Sequence, residues 1–303
     1  MRVALSRLLW SVPVLFLVAT LTFAIMHAVP GGPFDKEKKL PPEIKANVEA
    51  KYHLNEPLWR QYVLYLAGLI EGDLGPSYKY LGRTVNDVIA DTLPVSAELG
   101  VLALLIATVL GVGSGTLAAV KGGSADRVNI ILATLGISVP SFVLGALLVL
   151  LFSNTLHLLP PALWENPRNA ILPALTLGLA PAAYIARLTR SAIREVLAQD
   201  FIRTARAKGL SEGTIIRRHL LRNALTPVVT ILGPLTAGLI TGSLVVEYLF
   251  SIPGMGKFYI TAATNRDYPL IMGVTLVYAV FIILGNLAVD LINSLLDPRI
   301  RLH

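Results

Sequence analysis

Six long stretches of the sequence contain no charged side chain, and this feature limits the possible folds most strongly. Each is 18 residues or longer without Asp, Glu, Lys or Arg, and they cover residues 8–34, 99–120, 128–162, 169–186, 223–246 and 268–289. A bilayer core of about 30 Å is crossed by about 20 apolar residues in a helix. The 303-residue chain is only 15% charged, against about 25% in soluble domains. We therefore predict an all-α integral membrane protein with six transmembrane helices.

The first apolar run predicts an uncleaved membrane anchor rather than a signal peptide. Arg2 and Arg7 precede it, as in both kinds of segment. The run is longer than the apolar core of a signal peptide, which is about 7–15 residues, and no clear small-residue cleavage site follows it. The chain has no cysteine, which excludes disulfides and thiolate metal sites within it. We also expect Pro140 and Pro181 to kink the third and fourth spans.

The basic residues predict the orientation of the helices. With the amino terminus inside, fifteen Lys and Arg fall in cytoplasmic segments and three in the short outer loops. The eight others lie in a long segment, residues 30–95, which can escape the rule. We therefore predict both termini in the cytoplasm and residues 30–95 outside. This asymmetry accounts for most of the net charge of +7, so no nucleic-acid partner is needed to explain it.

The sequence divides into three parts. Residues 1–29 form the first transmembrane helix, residues 30–95 an extracytoplasmic helical segment, and residues 96–303 a five-helix core with a loop at about 188–226. The extracytoplasmic segment predicts two amphipathic helices, around 43–53 and 57–70, which begin near prolines; we expect Asn55 to cap the second and Gly72 to end it. Their apolar faces predict packing on the mouth of the membrane domain or on the membrane interface. A packed cap and a surface for a partner both remain open for this segment.

A basic, glycine-broken stretch, FIRTARAKGLSEGTIIRRHLLR at residues 201–222, separates the fourth and fifth spans; we call it the elbow. Gly209 can close a helix in the left-handed conformation. Ser211 can cap a second helix, with Glu212 in its first turn. The pattern predicts a helix–turn–helix that passes force from a soluble partner to two membrane helices. The alternative for its arginines is that they hold topology and contact anionic lipid.

The elbow resembles the cytoplasmic loop of ABC-importer permeases. Arg203, Thr204 and Ala205 occupy the family's Glu-Ala-Ala triplet, where only Ala205 matches, and Gly209 matches its glycine. Leu221 is the one agreement at the closing motif. Further stretches (EGDLGPSYKYLGRTVNDVIADTLPVSAELG, SIPGMGKF, RDYPLIMG and LLDPRIR) resemble the peptide/nickel, binding-protein-dependent branch, and the outer segment resembles the oligopeptide-permease B subunit in particular.

This resemblance implies the type I importer permease fold in a bacterial inner membrane, with the elbow as a coupling helix. The implied partners are a second homologous permease, two ATP-binding subunits and an extracytoplasmic peptide-binding protein that delivers peptide. ATP and Mg would bind the ATP-binding subunits, since this chain has no G-x-x-x-x-G-K-[ST] loop; no cofactor, metal or enzymatic activity is expected in it. The expected ATPase-contacting residues are Ala205, Arg206, Lys208, Gly209, Leu210, Ser211, Arg217 and Leu221. Ala205 and Leu210 are expected to enter the ATPase cleft.

Two other classes of protein are weighed against the importer. A membrane enzyme would need paired acids or a catalytic motif, but Glu98, Glu247 and Asp290 fall singly near the ends of spans. A secondary transporter would usually carry midplane ion ligands or inverted repeats, and neither is visible. Within the importer class, the same machinery could carry dipeptides, nickel or another solute.

Overall fold

The computed structural model describes residues 2–29, 54–80 and 82–296 of the chain. These residues form helices joined by turns and loops, with one isolated antiparallel bridge between Pro76 and Thr84. The longer helices are, in order, α1 (Arg2–Ala28), α2 (Leu58–Glu71), α3 (Val85–Lys121), α4 (Gly123–Ser138), α5 (Ser141–Leu148), α6 (Ile171–Leu197), α7 (Asp200–Ala207), α8 (Thr226–Ile240), α9 (Leu244–Leu249), α10 (Met255–Asn265) and α11 (Tyr268–Leu296). The first predicted amphipathic helix, around 43–53, lies outside the described residues.

Five of the predicted spans are present as helices long and apolar enough to cross a bilayer. They are Leu9–Ala28, Val85–Lys121, Pro167–Leu197, Thr226–Leu249 and Tyr268–Ala288. The sixth is broken: Gly123–Ser138 meets Ser141–Thr155 at an angle of 108°. The helix of the second span begins at Val85, ten residues before the boundary that the sequence places at residue 95.

The break in the third span follows from Pro140. Proline disfavours the helical conformation of the residue before it, and Val139 is extended with φ −80° and ψ 122°. The predicted kink at Pro140 is therefore confirmed. Pro181, by contrast, lies inside α6, which runs without interruption from Ile171 to Leu197.

Small residues bring α3 and α6 into close contact at the centre of the bundle. A side chain at Gly111 would lie 2.6 Å from the Cβ atom of Ile185, and one at Gly115 would lie 2.5 Å from the carbonyl oxygen of Ala186. On α6, a side chain at Gly178 would lie 2.7 Å from a backbone oxygen of α3. Helices in membranes gain stability from such close packing because lipid tails provide no hydrophobic drive between them.

Helix α2 rests on the end of the bundle opposite the elbow, which we call the distal end. Tyr62 and Tyr65 pack against Phe23 of α1 and against Tyr268 and Met272 of α11, as the pattern of its apolar face predicts. This tyrosine contact joins the first and last spans to the segment between the first and second spans.

Both ends of α2 test the capping predictions. Gly72 ends it with φ 77°, and Asp73 donates its backbone N–H to the carbonyl of Gly68 at 2.8 Å, so the predicted glycine stop is confirmed. The expected cap at Asn55 is wrong, because the helix begins at Leu58 after Pro57. Proline disfavours helix in the residue before it, which moves the start past Asn55.

Candidate functional site

The elbow is built from two helical arms that meet at Gly209. The first arm is α7, and the second consists of Glu212–Thr214, a π-helical turn at Ile215–Leu220, and Leu221–Ala224. Gly209 has φ +78°, in the left-handed region that favours glycine. The backbone N–H of Leu210 donates to the carbonyl of Ala205 at 3.3 Å, and that of Gly209 to the carbonyl of Arg206 at 2.9 Å. These two bonds form the predicted glycine closure of the helix.

The two arms enclose an apolar core of their own. Ile202 and Ala205 of α7 pack against Ile215 and Leu220 of the second arm and against Ile193 near the end of α6. All of these side chains are buried, and Leu221 packs at the edge of the same cluster. The bend is therefore a packed unit fixed to α6, and not a pliable loop.

This core corrects the expected role of one site residue. Ala205 is only 6% exposed, because α7 turns that face toward Ile215 and Leu220, so its side chain is not available to a partner in this structure. Leu210, at the tip of the bend, is 39% exposed, and Phe201 is exposed to the same extent. The apolar surface that the elbow offers is therefore that of Leu210 and Phe201.

An ion pair spans the bend. Arg206 donates to both carboxylate oxygens of Glu212, at 2.8 and 3.3 Å, and both side chains are exposed. The hydrogen bond from Arg206 lowers the pKa of Glu212 below its usual range. Arg206 thus has an acidic partner within the elbow, which the sequence interpretation did not foresee.

The remaining polar residues of the tip point outward. Lys208 and Arg217 are exposed and form no ion pair within the part of the chain that the structure describes. Ser211 stands at the predicted cap position of the second arm, but its hydroxyl lies 2.9 Å from the hydroxyl of Thr214 instead of accepting from a backbone N–H. The start of the second arm therefore relies on this side-chain contact and on Glu212 in its first turn.

A second ionic cluster ties the elbow-end of α6 to the broken span. Arg190 donates to both oxygens of Asp126, and Arg194 donates to Asp126 Oδ2 at 2.7 Å. Asp126 belongs to the first turn of α4, and its side chain is mostly buried. The sequence does not predict this tie, because Arg190 and Arg194 are 64 and 68 residues from Asp126.

The sequence placed Glu247 near the end of a span, but it did not reveal that this carboxylate is buried at the distal end. Glu247 is fully buried and accepts hydrogen bonds from the Ser96 hydroxyl at 2.8 Å and from the backbone N–H of Gly256 at 2.7 Å. Ser96 in turn accepts from the N–H of Met255 at 2.8 Å. Glu247 therefore holds the turns between α8, α9 and α10 against α3, and no second carboxylate faces it in this network.

The described residues contain no group of three or more His, Cys, Asp and Glu side chains that could hold a metal ion. The elbow presents an exposed apolar tip and outward-pointing cations on a rigid, packed base. This combination is suited to contact with another protein.

Solved structures of similar fold belong to ABC transporters. An inward-facing structure of the MetNI methionine ABC transporter aligns with 69% of this chain and 96% of its own, with a TM-score of 0.57 at 20% identity. A structure of an amino acid ABC transporter with histidines aligns with 71% of this chain and 95% of its own, with a TM-score of 0.51 at 17% identity. The fold of this chain is thus one found in ABC transporters.

Sequence comparison then defines the family. The model of the family described as binding-protein-dependent transport system inner membrane component matches residues 107–302. This chain belongs to that family. It is 48% identical to the dipeptide transport system permease protein DppB of Bacillus subtilis, over 95% of this chain and 94% of the relative. It is also 48% identical to the oligopeptide transport system permease protein OppB of Haemophilus influenzae, over 98% of each, and 45% identical to OppB of Escherichia coli, over 99% of each.

Proposed function

We propose that this chain is a transmembrane subunit of an ATP-driven ABC importer and forms half of the pore through which oligopeptides enter the cell. The observation that supports this most is the similarity, end to end, to permeases of oligopeptide and dipeptide transport systems. Similarity over nearly the whole of both chains covers the spans, the elbow and the distal segment together. It therefore extends over all three parts of the chain and is not confined to a shared module.

The proposed assembly contains a second homologous permease, two ATP-binding subunits and an extracytoplasmic peptide-binding protein. The elbow is the part that docks into an ATP-binding subunit. Leu210 and Phe201 enter the cleft as exposed apolar side chains, and Lys208 and Arg217 face acidic groups around it. Ala205 and Leu221 contribute by holding the two arms together. ATP and Mg bind the partner subunits.

The elbow end faces the cytoplasm in this proposal, and α2 lies outside at the mouth of the pore. The excess of basic residues at the elbow end supports this orientation. Because α2 is fixed to α1 and α11 through Tyr62 and Tyr65, contact with a peptide-binding protein at α2 would act on the first and last spans together.

Uptake in proteoliposomes tests the proposal. The chain is reconstituted with its companion permease, ATP-binding subunits and binding protein, and labelled dipeptides and longer peptides are added outside with ATP inside. We expect accumulation that requires ATP and every component. Accumulation of dipeptides alone would assign the dipeptide alternative, which the Bacillus subtilis relative favours. Accumulation without ATP or without the ATP-binding subunits would contradict the importer proposal.

ATP hydrolysis by the chain purified alone is the second measurement that tests the proposal. We expect no ATP hydrolysis above background, because ATP is proposed to bind only to the partners. Turnover that persists after removal of every co-purified ATPase would contradict the assignment of this chain as a non-enzymatic subunit.

A further inference from the structure

An apolar cavity of about 410 Å³ lies beside the break in the third span, where α3, α4 and α6 meet. Leucine and alanine side chains of these helices, Ala186 among them, form most of its lining, with Ser114 and Asn129 among the other lining residues. Leu110, Leu132 and Leu135 line it and are also largely exposed, so the cavity opens on the outer surface of the bundle. Its size lies in the range of ligand cavities, about 300–1,000 Å³.

One end of this cavity carries a buried polar group without a partner. Asn129 is 6% exposed, and its Oδ1 atom accepts no hydrogen bond from any residue that the structure describes. Buried acceptors are nearly always satisfied, because an unpaired one loses its hydration without compensation. A hydrogen-bond donor from outside the chain would satisfy this atom.

Basic side chains stand just beyond the same end. On α3, Ser114 and Lys121 are seven residues apart and therefore share a helix face, and Lys121 is exposed at the end of that helix. On α6, Arg190 follows the lining residue Ala186 by one turn, and Arg194 follows by two. Arg190 and Arg194 share one acidic partner, Asp126, and Lys121 forms no ion pair with any residue that the structure describes. The cavity therefore combines an apolar body with a positively charged end.

We propose that the cavity holds an acyl chain of an anionic glycerophospholipid. The acyl chain lies among the leucine and alanine side chains, the phosphate lies near Lys121 and Arg194, and a headgroup hydroxyl donates to Oδ1 of Asn129. The opening on the outside of the bundle gives access from the bilayer. A lipid bound here would contact Val139 and Leu144 on either side of Pro140, and its headgroup would lie at the elbow-end of α6.

Lipid retention tests the proposal. The full-length chain, purified with the subunits that accompany it, is placed in nanodiscs of phosphatidylglycerol and phosphatidylcholine, and the lipid retained after transfer to detergent is counted by native mass spectrometry. We expect selective retention of phosphatidylglycerol, which is anionic and carries headgroup hydroxyls. The change Lys121→Gln should weaken retention about fivefold, the effect of removing one basic residue near a lipid surface.

Arg127→Gln is the matched control for charge. Arg127 is exposed and two residues before Asn129, which places it on the opposite side of α4, so its loss should leave retention unchanged. Equal effects of Lys121→Gln and Arg127→Gln would mean that retention depends only on the net positive charge of this end of the bundle, and would overturn the proposal.

Filling the cavity is the second test. Ser114→Phe places a ring in the cavity and should abolish retention, whereas Gly113→Phe places the same ring at a position where a Cβ atom meets nothing within 4 Å. Normal elution of both variants with their partner subunits excludes misfolding as the cause. Retention by Ser114→Phe, no preference for phosphatidylglycerol, or a photo-crosslink to the companion permease from a benzophenone maleimide attached to Leu132→Cys would overturn the proposal. The crosslink would do so by assigning the cavity to the interface between subunits.

Discussion

Gly209 is the residue on which the geometry of the elbow depends most. A residue with a Cβ atom in the left-handed conformation costs about 1–2 kcal/mol, and Gly209 has φ +78°. A Cβ atom at Gly209 would meet nothing within 4 Å inside this chain. We therefore expect Gly209→Val to strain only the bend, with normal membrane insertion, weaker docking of the ATP-binding subunit and loss of peptide uptake.

Gly213→Val is the control for this prediction. Gly213 lies four residues further on, also has open space around it, and has no positive φ. We expect near-normal uptake for Gly213→Val at equal membrane abundance. Normal uptake by the Gly209→Val protein would show that the elbow serves topology alone.

Glu247 is the second residue whose surroundings make a definite prediction. A Cβ atom at Gly254 would lie 2.4 Å from Glu247 Oε2 and 2.6 Å from the Ser96 hydroxyl oxygen. Overpacking of a buried site costs about 1–3 kcal/mol, so Gly254→Ala should lower the free energy of unfolding by that amount. Gly238→Ala, where a Cβ atom meets nothing within 4 Å, should not. Thermal unfolding of the purified variants measures both, and equal midpoints would contradict the packing of Glu247.

At the scale of elements, the elbow is held by its apolar core and by the Arg206–Glu212 pair across the bend. Because that pair joins the two arms, reversing one charge should weaken docking and uptake, and the double change Arg206→Glu with Glu212→Arg should restore them in part. The exposed Arg203–Asp200 pair, which lies within α7, is the control: its reversal should have a smaller effect. A double variant no better than either single one would show that Arg206 contacts the partner directly.

The whole molecule has two ends of different chemistry, which predicts how it lies in the membrane. Basic residues concentrate at the elbow end, and the tyrosine contact with α2 lies at the distal end. Single cysteines introduced at Asn55 and at Gly213, both exposed, should therefore react with an impermeant reagent from opposite sides, Asn55→Cys from outside. Reaction of both cysteines from the same side would contradict the orientation.

The sequence by itself determined the spans, the glycine bend and the break at Pro140, because each depends on residues that are neighbours along the chain. Long apolar runs must become helices in lipid, where every backbone polar group needs an internal partner. Gly209 and Pro140 act through the conformation of one or two residues. The failed cap at Asn55 marks the limit, since the start of a helix depends on several local preferences at once.

The tertiary structure alone decided which faces are paired. Ser96 and Glu247 are 151 residues apart, and Arg190 and Asp126 are 64 apart, so no local pattern could join them. Ala205 shows the same limit at the candidate site: its sequence position matches a partner-contacting motif, yet the packing of the two arms turns it inward. The physical reason is that local preferences fix the helices, whereas burial of one helix face against another depends on every helix that shares the bundle.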